Sequence, residues 1–271
     1  MTDTPRDWNA IRAVIRKDVT AVRRSKAVVI PMLAVPFLLL VILPLLIGVA
    51  ARSQGGGVGN FLDSVPAGLA DPITDLPEDE QMIVLVNGYL LAPLFLIVPL
   101  MVSAVLAADA FAGEKERRTM ETLLHLPISN RDLFVAKLLG AFIPAIAVSW
   151  VGFALFCVVT NAVAWGVMGR IFVPTRLWGV VIFWVAPAVA MLGLGVMVRV
   201  SVRARSTQEA NQLGGAVVLP LIFLAVGQST GLLLVDLPVA FAIGAVIWVL
   251  ALWLTRRGAR RFTRDEIATR I

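Results

Sequence analysis

Residues 111–129 read FAGEKERRTMETLLHLPIS, a charged segment that lies between two long apolar runs. The run before it covers residues 83–108, the run after it covers residues 138–160, and neither contains an Asp, Glu, Lys, Arg or His. A helix of about 20 apolar residues is long enough to cross a hydrocarbon core about 30 Å thick. This arrangement therefore predicts two transmembrane helices that are joined by a short, charged helix ending before Pro127.

The same pattern recurs along the whole chain and predicts an all-α membrane protein with six transmembrane helices in a single domain, 1–271. The hydrophobic fraction is 59% and the charged fraction 15%, whereas soluble domains have about 45–50% apolar and about 25% charged residues. A lone soluble domain and a disordered chain are thus excluded. The six predicted spans are 27–50, 83–108, 138–160, 177–198, 210–226 and 237–255.

Two segments outside the spans have a distinctive pattern. Residues 5–26 predict an amphipathic helix, capped by Thr4, that lies along the cytoplasmic membrane interface. The alternative is a helix that packs on other cytoplasmic segments of the protein. Residues 227–236 predict a broken or re-entrant segment between spans five and six, with a tight turn between two plain helices as the alternative. The apolar stripe of the first helix consists of Trp8, Ile11, Ile15, Val19 and Val22.

The distribution of basic residues predicts the orientation of the chain. Of the 24 Lys and Arg residues, 21 fall in the segments on one side of the predicted spans and 3 on the other. Because cytoplasmic segments are rich in Lys and Arg, both termini are expected in the cytoplasm. The net charge of +6 is then explained by topology, and no nucleic-acid partner is expected.

Several kinds of chemistry are disfavoured by the residues that the chain has. One Cys and one His allow no disulfide framework within the chain and no metal cluster of the usual Cys or His type. Residues 227–231, GQSTG, match the G-x-S-x-G hydrolase elbow. The elbow requires a preceding strand and a nearby His, whereas here a predicted membrane helix precedes it and the His is expected on the opposite side. No catalytic residue is therefore expected.

Some polar and aromatic residues in or near the spans are candidates for specific roles. Asn87 and Tyr89 are among the few polar residues of the second predicted span and could line a pathway, with an interhelical hydrogen bond as the alternative. Trp165 and Trp178 are expected at the outer headgroup level, where amphipathic rings are enriched.

The charged segment, together with Asp132-Leu133 and Lys137, resembles the signature of ABC type-2 transporter permeases. That signature reads approximately F-x-x-E-[KR]-E-x-x-T-x-E-x-L-L-x-x-P-[IV]-S-x-x-[DE]-[IL]-x-x-x-K. The resemblance implies that residues 113–126 form a coupling helix that contacts a separate ATP-binding subunit. It also implies a possible second contact at Arg203, Arg205 and Glu209. The implied contact residues of the coupling helix are Glu114, Lys115, Glu116, Arg117, Arg118, Thr119, Met120, Glu121 and Leu124.

The resemblance further implies the permease subunit of an ATP-driven exporter in the plasma (inner) membrane of a prokaryote. The pathway would form between this chain and a second copy or a paralogue, within the lipid bilayer. ATP and Mg would bind to the partner subunit, because this chain has no G-x-x-x-x-G-K-[ST] phosphate loop and no cofactor of its own is expected. The alternatives are an ion-coupled secondary transporter, which usually has ionisable groups within its spans, and a non-transporting membrane scaffold subunit.

Overall fold

The computed structural model describes residues 7–54, 73–116, 128–204, 206–214, 219 and 237–261, and all regular elements within these ranges are helical. Single π-helical turns, Leu38–Ile42, Val84–Leu90, Asp109–Gly113 and Val181–Val185, interrupt some of the long helices. The α-helices are Trp8–Arg24, Lys26–Phe37, Leu43–Gln54, Glu78–Ile83, Leu91–Phe95, Ile97–Ala108, Glu114–Glu116, Asn130–Met168, Arg176–Val180, Ala186–Arg203, Thr207–Gly214 and Leu237–Arg261.

Five helical stretches in the described residues are long and apolar enough to cross a membrane. The fifth predicted span, 210–226, lies mostly outside the described residues, and so does the predicted re-entrant segment 227–236. Of that span the structure describes the helical residues 210–214 and 219. The five stretches are the first span, Val28–Val49, the second span, Glu80–Gly113, the third span, Asn130–Met168, the fourth span, Arg176–Ser201, and the C-terminal span, Leu237–Ala259.

The second and fourth spans form the centre of the helix bundle. In the most apolar stretch of each span, 67% of the residues are buried in the second span and 61% in the fourth. The corresponding shares are 28% in the first span, 22% in the third and 17% in the C-terminal span. The less buried helices thus leave apolar surface on the outside of the bundle. Such a surface suits a lipid environment, in which lipid tails are as apolar as the side chains they touch.

An aromatic cluster joins the second, third and fourth spans. The ring of Trp178 lies 4.7 Å from Phe156, 5.3 Å from Phe153 and 5.5 Å from Phe95, measured between centroids. Its Nε1 donates to the carbonyl oxygen of Asn87 at 3.0 Å, so both its apolar ring and its polar atom are satisfied. Trp178 is 0% exposed, so its ring packs on other spans instead of facing lipid headgroups, and its depth in the membrane stays a prediction.

The N-terminal helix, Trp8–Arg24, begins three residues later than the sequence predicts. Asp7 is its N-cap, and the Asp7 carboxylate accepts hydrogen bonds from the backbone N–H groups of Asn9 and Ala10. A carboxylate at this position satisfies N–H groups that have no partner within the helix. Thr4, the predicted cap, lies outside the described residues.

The apolar stripe of the N-terminal helix packs on the protein itself. Ile11 and Val14 are buried in a cluster with Ile128, Leu133 and Ala136, at the start of the third span. This is the arrangement that the sequence left as the alternative to a purely interfacial helix. Trp8, at the start of the stripe, is 50% exposed.

One end of the bundle brings together segments that are distant in the sequence. Gly258, near the end of the C-terminal span, lies against Val198 of the fourth span and Phe134 of the third. Gly113, at the end of the second span, lies against Thr207. We call this end of the bundle the connection end, because the charged segment 111–129 joins the second and third spans there.

Candidate functional site

The charged segment is anchored to the bundle by a buried ion pair between the second and third spans. Lys137 is 0% exposed, and its Nζ donates to the Glu114 carboxylate and to the carbonyl oxygen of Ala110, the latter at 2.6 Å. Glu114 is 4% exposed. A buried charge is costly unless it is paired and hydrogen-bonded, so this pair fixes the last turn of the second span to the start of the third.

The N-terminal helix joins the same ion pair. Lys17 Nζ lies 2.7 Å from Glu114 Oε1 and 3.5 Å from Asp18 Oδ1. Glu114 therefore binds lysines from two different helices, one through each carboxylate oxygen. We call Lys17, Asp18, Glu114 and Lys137 the ionic anchor.

Small and aromatic residues allow these charged groups to meet. The N-terminal helix crosses the third span at Gly140, where an added Cβ would lie 3.8 Å from both the Ile15 Cα and the Asp18 Cβ. The Phe111 ring lies 5.6 Å from Lys137 Nζ, a distance that permits a cation–π interaction. The third span begins directly after Ser129, which caps it by accepting a hydrogen bond from the Asp132 N–H at 3.0 Å.

The environment of the ionic anchor shifts the pKa of two of its members. Burial, the largest influence, raises the pKa of Asp18 above its ordinary value of 3.8; the positive charge of Lys137 opposes this shift, and the negative charge of Glu114 adds to it. For Lys17, burial lowers the pKa, but the hydrogen bond and charge of Glu114 outweigh burial and raise it above 10.5. Lys17 thus stays protonated at neutral pH.

A second connection ties the charged segment to the helix Thr207–Gly214. The Glu116 carboxylate accepts hydrogen bonds from both the backbone N–H and the hydroxyl of Thr207, each at 3.0 Å. An added Cβ on Gly113 would lie 3.3 Å from the Thr207 hydroxyl oxygen. A larger residue would therefore push the two segments apart.

The structure separates the predicted partner-contact residues into three groups. Glu114 lies inside the protein and is paired there, whereas Glu116 is exposed. The side chain of Lys115 and residues 117–126 lie outside the described part of the chain. The latter include Arg117, Arg118, Thr119, Met120, Glu121 and Leu124.

One residue of the predicted second contact, Glu209, lies in a helix that is linked to Glu116. Glu209 belongs to the helix Thr207–Gly214, whose first residue binds Glu116, and its N–H donates to the Ser206 hydroxyl at 3.1 Å. Arg203 ends the helix Ala186–Arg203. The Arg203 side chain and the whole of Arg205 lie outside the described residues.

The two pathway candidates lie in a π-helical turn of the second span, Val84–Leu90. Asn87 is 2% exposed and donates from its side chain to the carbonyl oxygen of Ile83 at 3.2 Å. Its backbone carbonyl accepts the Trp178 hydrogen bond, which links the second and fourth spans. Tyr89 is partly buried. The pathway role of both residues stays a prediction.

Sequence reasoning missed the interactions of Lys17, Asp18 and Thr207. Lys137 belongs to the ABC type-2 signature, but the signature does not indicate what this lysine contacts. Lys137 directly precedes the uncharged run 138–160, and a lysine requires a partner when it is buried, but the sequence shows neither its burial nor the identity of its partner. Within the described residues no group of three or more His, Cys, Asp or Glu side chains could hold a metal ion.

Comparison with known proteins identifies the family. A family model described as "ABC-2 family transporter protein" matches residues 12–249, which include the N-terminal helix from Arg12 onward, the ionic anchor and most of the C-terminal span. No curated protein matches the sequence. Members of the matched family are membrane transport components and are not themselves catalytic. The chain therefore belongs to the ABC-2 transporter family and is a multi-pass membrane permease of an ABC transporter.

Proposed function

We propose that this permease is the pathway-forming subunit of an ATP-driven exporter and works as a dimer with a second copy or a paralogue. A separate ATP-binding subunit, which holds ATP and Mg, would dock against the charged segment and drive transport. Family membership supports the permease role. The export direction rests on the resemblance of residues 111–137 to the ABC type-2 signature.

The observation that carries this proposal is the way residues 114–116 are tied to three other elements. Glu114 binds Lys137 of the third span and Lys17 of the N-terminal helix, while Glu116 binds Thr207. A segment linked in this way cannot move alone. If closure of the ATP-binding subunits displaced the coupling helix 113–126, the movement would pass directly to the second span, the third span and the N-terminal helix.

Buried and exposed residues have different roles in the proposed contact with the ATP-binding subunit. Glu114 acts as the internal anchor, and Glu116 supplies an exposed carboxylate at the base of the coupling helix. Lys115 and residues 117–124 then provide the remaining contact, with Arg203, Arg205 and Glu209 as the second one. Because the proposed contact residues carry charges of both signs, they favour a partner surface that also has charges of both signs.

The proposed orientation places the connection end in the cytoplasm, together with both termini. Lys17, Lys137, Arg199 and Arg257 all belong to segments that meet at this end. A basic end is expected to face the cytoplasm of a prokaryotic cell, whose plasma membrane has an anionic inner surface.

Site-specific cross-linking tests the docking proposal. Cys157 is the only cysteine, so Cys157→Ser provides a background into which Met120→Cys is introduced. We expect a short cross-linker, applied to native membranes, to join this position to a protein that contains a phosphate-loop sequence, identified by mass spectrometry. The control is Trp165→Cys, an exposed position in the last turn of the third span, away from the connection end. Absence of such a product at Met120→Cys, or equal yields at both positions, would contradict the proposal.

Charge reversal at Glu116 tests the coupling. In the assembled complex, spin labels at Trp165→Cys of the two copies should report a distance change when the ATPase is trapped with ATP and vanadate. We expect Glu116→Lys to abolish this change while assembly and ATP hydrolysis persist. The matched control is Arg12→Glu, a charge reversal on an exposed part of the N-terminal helix. An unchanged distance response in Glu116→Lys would show that Glu116 has no role in coupling.

A further inference from the structure

Two arginines from different spans converge on one exposed tryptophan at the connection end. The guanidinium carbon of Arg257 lies 4.9 Å from the centroid of the Trp253 ring, and that of Arg199 lies 5.2 Å from it. Arg257 follows Trp253 by one helical turn in the C-terminal span, whereas Arg199 belongs to the fourth span. We call Trp253, Arg199 and Arg257 the arginine–tryptophan site.

The surroundings of this site place it at the boundary between hydrocarbon and water. Along the C-terminal span, Val246 is 60% and Val249 is 68% exposed, and these apolar residues lead towards Trp253, itself 52% exposed. Arg256 and Arg257 are exposed immediately beyond. Such a succession of apolar side chains, an indole ring and guanidinium groups is typical of the headgroup level.

Close packing of the two helices holds the two arginines near each other. An added Cβ on Gly195 would lie 3.0 Å from the Leu254 Cβ and 3.3 Å from the Thr255 hydroxyl oxygen. The fourth span therefore approaches the C-terminal span within one turn of the site. This contact fixes the backbone positions from which Arg199 and Arg257 reach the same ring.

The geometry favours a phosphate-bearing ligand. Two guanidinium groups beside one ring place two positive charges close together, and such a concentration of positive charge attracts an anion. Guanidinium donors match phosphate oxygens in pairs. The exposed apolar surface that continues from the site along the C-terminal span could accommodate acyl chains, whereas a free phosphate would leave it unused.

We propose that the arginine–tryptophan site binds the headgroup phosphate of an anionic phospholipid. Arg199 and Arg257 contact the phosphate, and the acyl chains lie along the face that contains Val246 and Val249. Basic sites between transmembrane helices on the cytoplasmic side are suited to anionic headgroups. This inference goes beyond the proposed function, since a lipid site of this kind needs neither the ATP-binding subunit nor the transported substrate.

Native mass spectrometry of the full chain in detergent tests the proposal, with phosphatidylglycerol and phosphatidylcholine of identical acyl chains as probes. We expect the wild-type chain to bind phosphatidylglycerol more tightly than phosphatidylcholine. Arg257→Gln should weaken its binding about fivefold, because one basic residue near the headgroups contributes about 1 kcal/mol. Arg256→Gln is the matched control, because it removes the same charge from the adjacent exposed position and leaves both arginines of the arginine–tryptophan site in place.

Three results would overturn the proposal. Equal losses in Arg257→Gln and Arg256→Gln would indicate a diffuse basic surface, and equal retention of both lipids would show that the phosphate charge is not selected by this site. Displacement of the lipid by glycerol 3-phosphate at concentrations similar to those of the lipid would identify a soluble phosphate as the ligand.

Trp253→Phe provides a second variant, which keeps an aromatic ring at the site. We expect its affinity for phosphatidylglycerol to lie between those of the wild type and Arg257→Gln, because the cation–π interaction is weaker with Phe.

Discussion

Lys137 in the third span and Glu114 at the end of the second span form an ion pair in which both side chains are buried. Lys137 also donates to the carbonyl oxygen of Ala110, and Glu114 accepts from Lys17. Each charge thus has more than one partner, as a buried charge requires. The pair connects the start of the charged segment to the helix that follows that segment.

Removal of Lys137 is expected to destabilise the permease strongly. Lys137→Met removes the buried cationic partner of the Glu114 carboxylate, and we expect the free energy of unfolding to fall by about 3–5 kcal/mol. Equilibrium unfolding of the purified full chain in mixed micelles measures the change.

The double variant Lys137→Met/Glu114→Leu is the control for the ion pair. It removes both charges, so it should recover most of the lost stability. If the loss of unfolding free energy in the double variant equalled the sum of the losses in Lys137→Met and Glu114→Leu, the pair would contribute through packing rather than through its charges.

Asp18→Asn is expected to stabilise the protein at neutral pH. The raised pKa of Asp18 means that the folded state binds the proton more tightly than the unfolded state. Its contribution is therefore most favourable below pH 3.8 and is lost as the pH rises through the folded-state pKa. The neutral amide avoids this loss, so the variant should have a higher unfolding midpoint than the wild type at pH 7. The difference between the two midpoints should narrow towards pH 4. A lower midpoint at pH 7 would contradict this reasoning.

Trp178→Phe tests the aromatic cluster at the centre of the bundle. The variant keeps a ring but removes the buried donor to the Asn87 carbonyl oxygen and leaves part of the indole volume unfilled. We expect a loss of about 1–3 kcal/mol in the free energy of unfolding. The same change at the exposed Trp165 should alter stability by less than about 0.5 kcal/mol. Equal effects at the two positions would argue against a central role for Trp178.

A double-mutant cycle measures the connection between Glu116 and Thr207. Glu116→Ala and Thr207→Val each remove the side-chain hydrogen bond between them, and the double variant removes both groups. We expect a coupling energy of about 0.5–1.5 kcal/mol between the two sites. Because Glu116 is exposed, each single variant should remain folded. A coupling energy of zero would show that the hydrogen bond does not fix the charged segment to the helix Thr207–Gly214.

The sequence was sufficient to predict the class of protein and its family. Long uncharged apolar runs can cross a membrane because of their length and composition alone, and five of the six predicted runs coincide with long apolar helices in the described residues. The fifth run lies mostly outside those residues. The family prediction, which rested on residues 111–137, is confirmed by the match over residues 12–249.

The contacts of individual residues could not be predicted in the same way. Hydropathy does not distinguish a helix face that packs on protein from one that faces lipid, because both environments are apolar. The sequence therefore could not show that the Trp178 ring is fully buried against Phe95, Phe153 and Phe156.

Length, apolar periodicity and charge distribution are local properties of the chain, and from them the sequence by itself determined the helical membrane architecture. The orientation was expected from the same local properties, whereas the coupling segment was a prediction that rested on the resemblance to the ABC type-2 signature. Only the tertiary structure decided that Lys17 meets Glu114, 97 residues further along the chain, and that Arg199 and Arg257 share the ring of Trp253. These pairings depend on how rigid helices pack and on where glycines permit close approach. Neither is specified by the composition of a single segment.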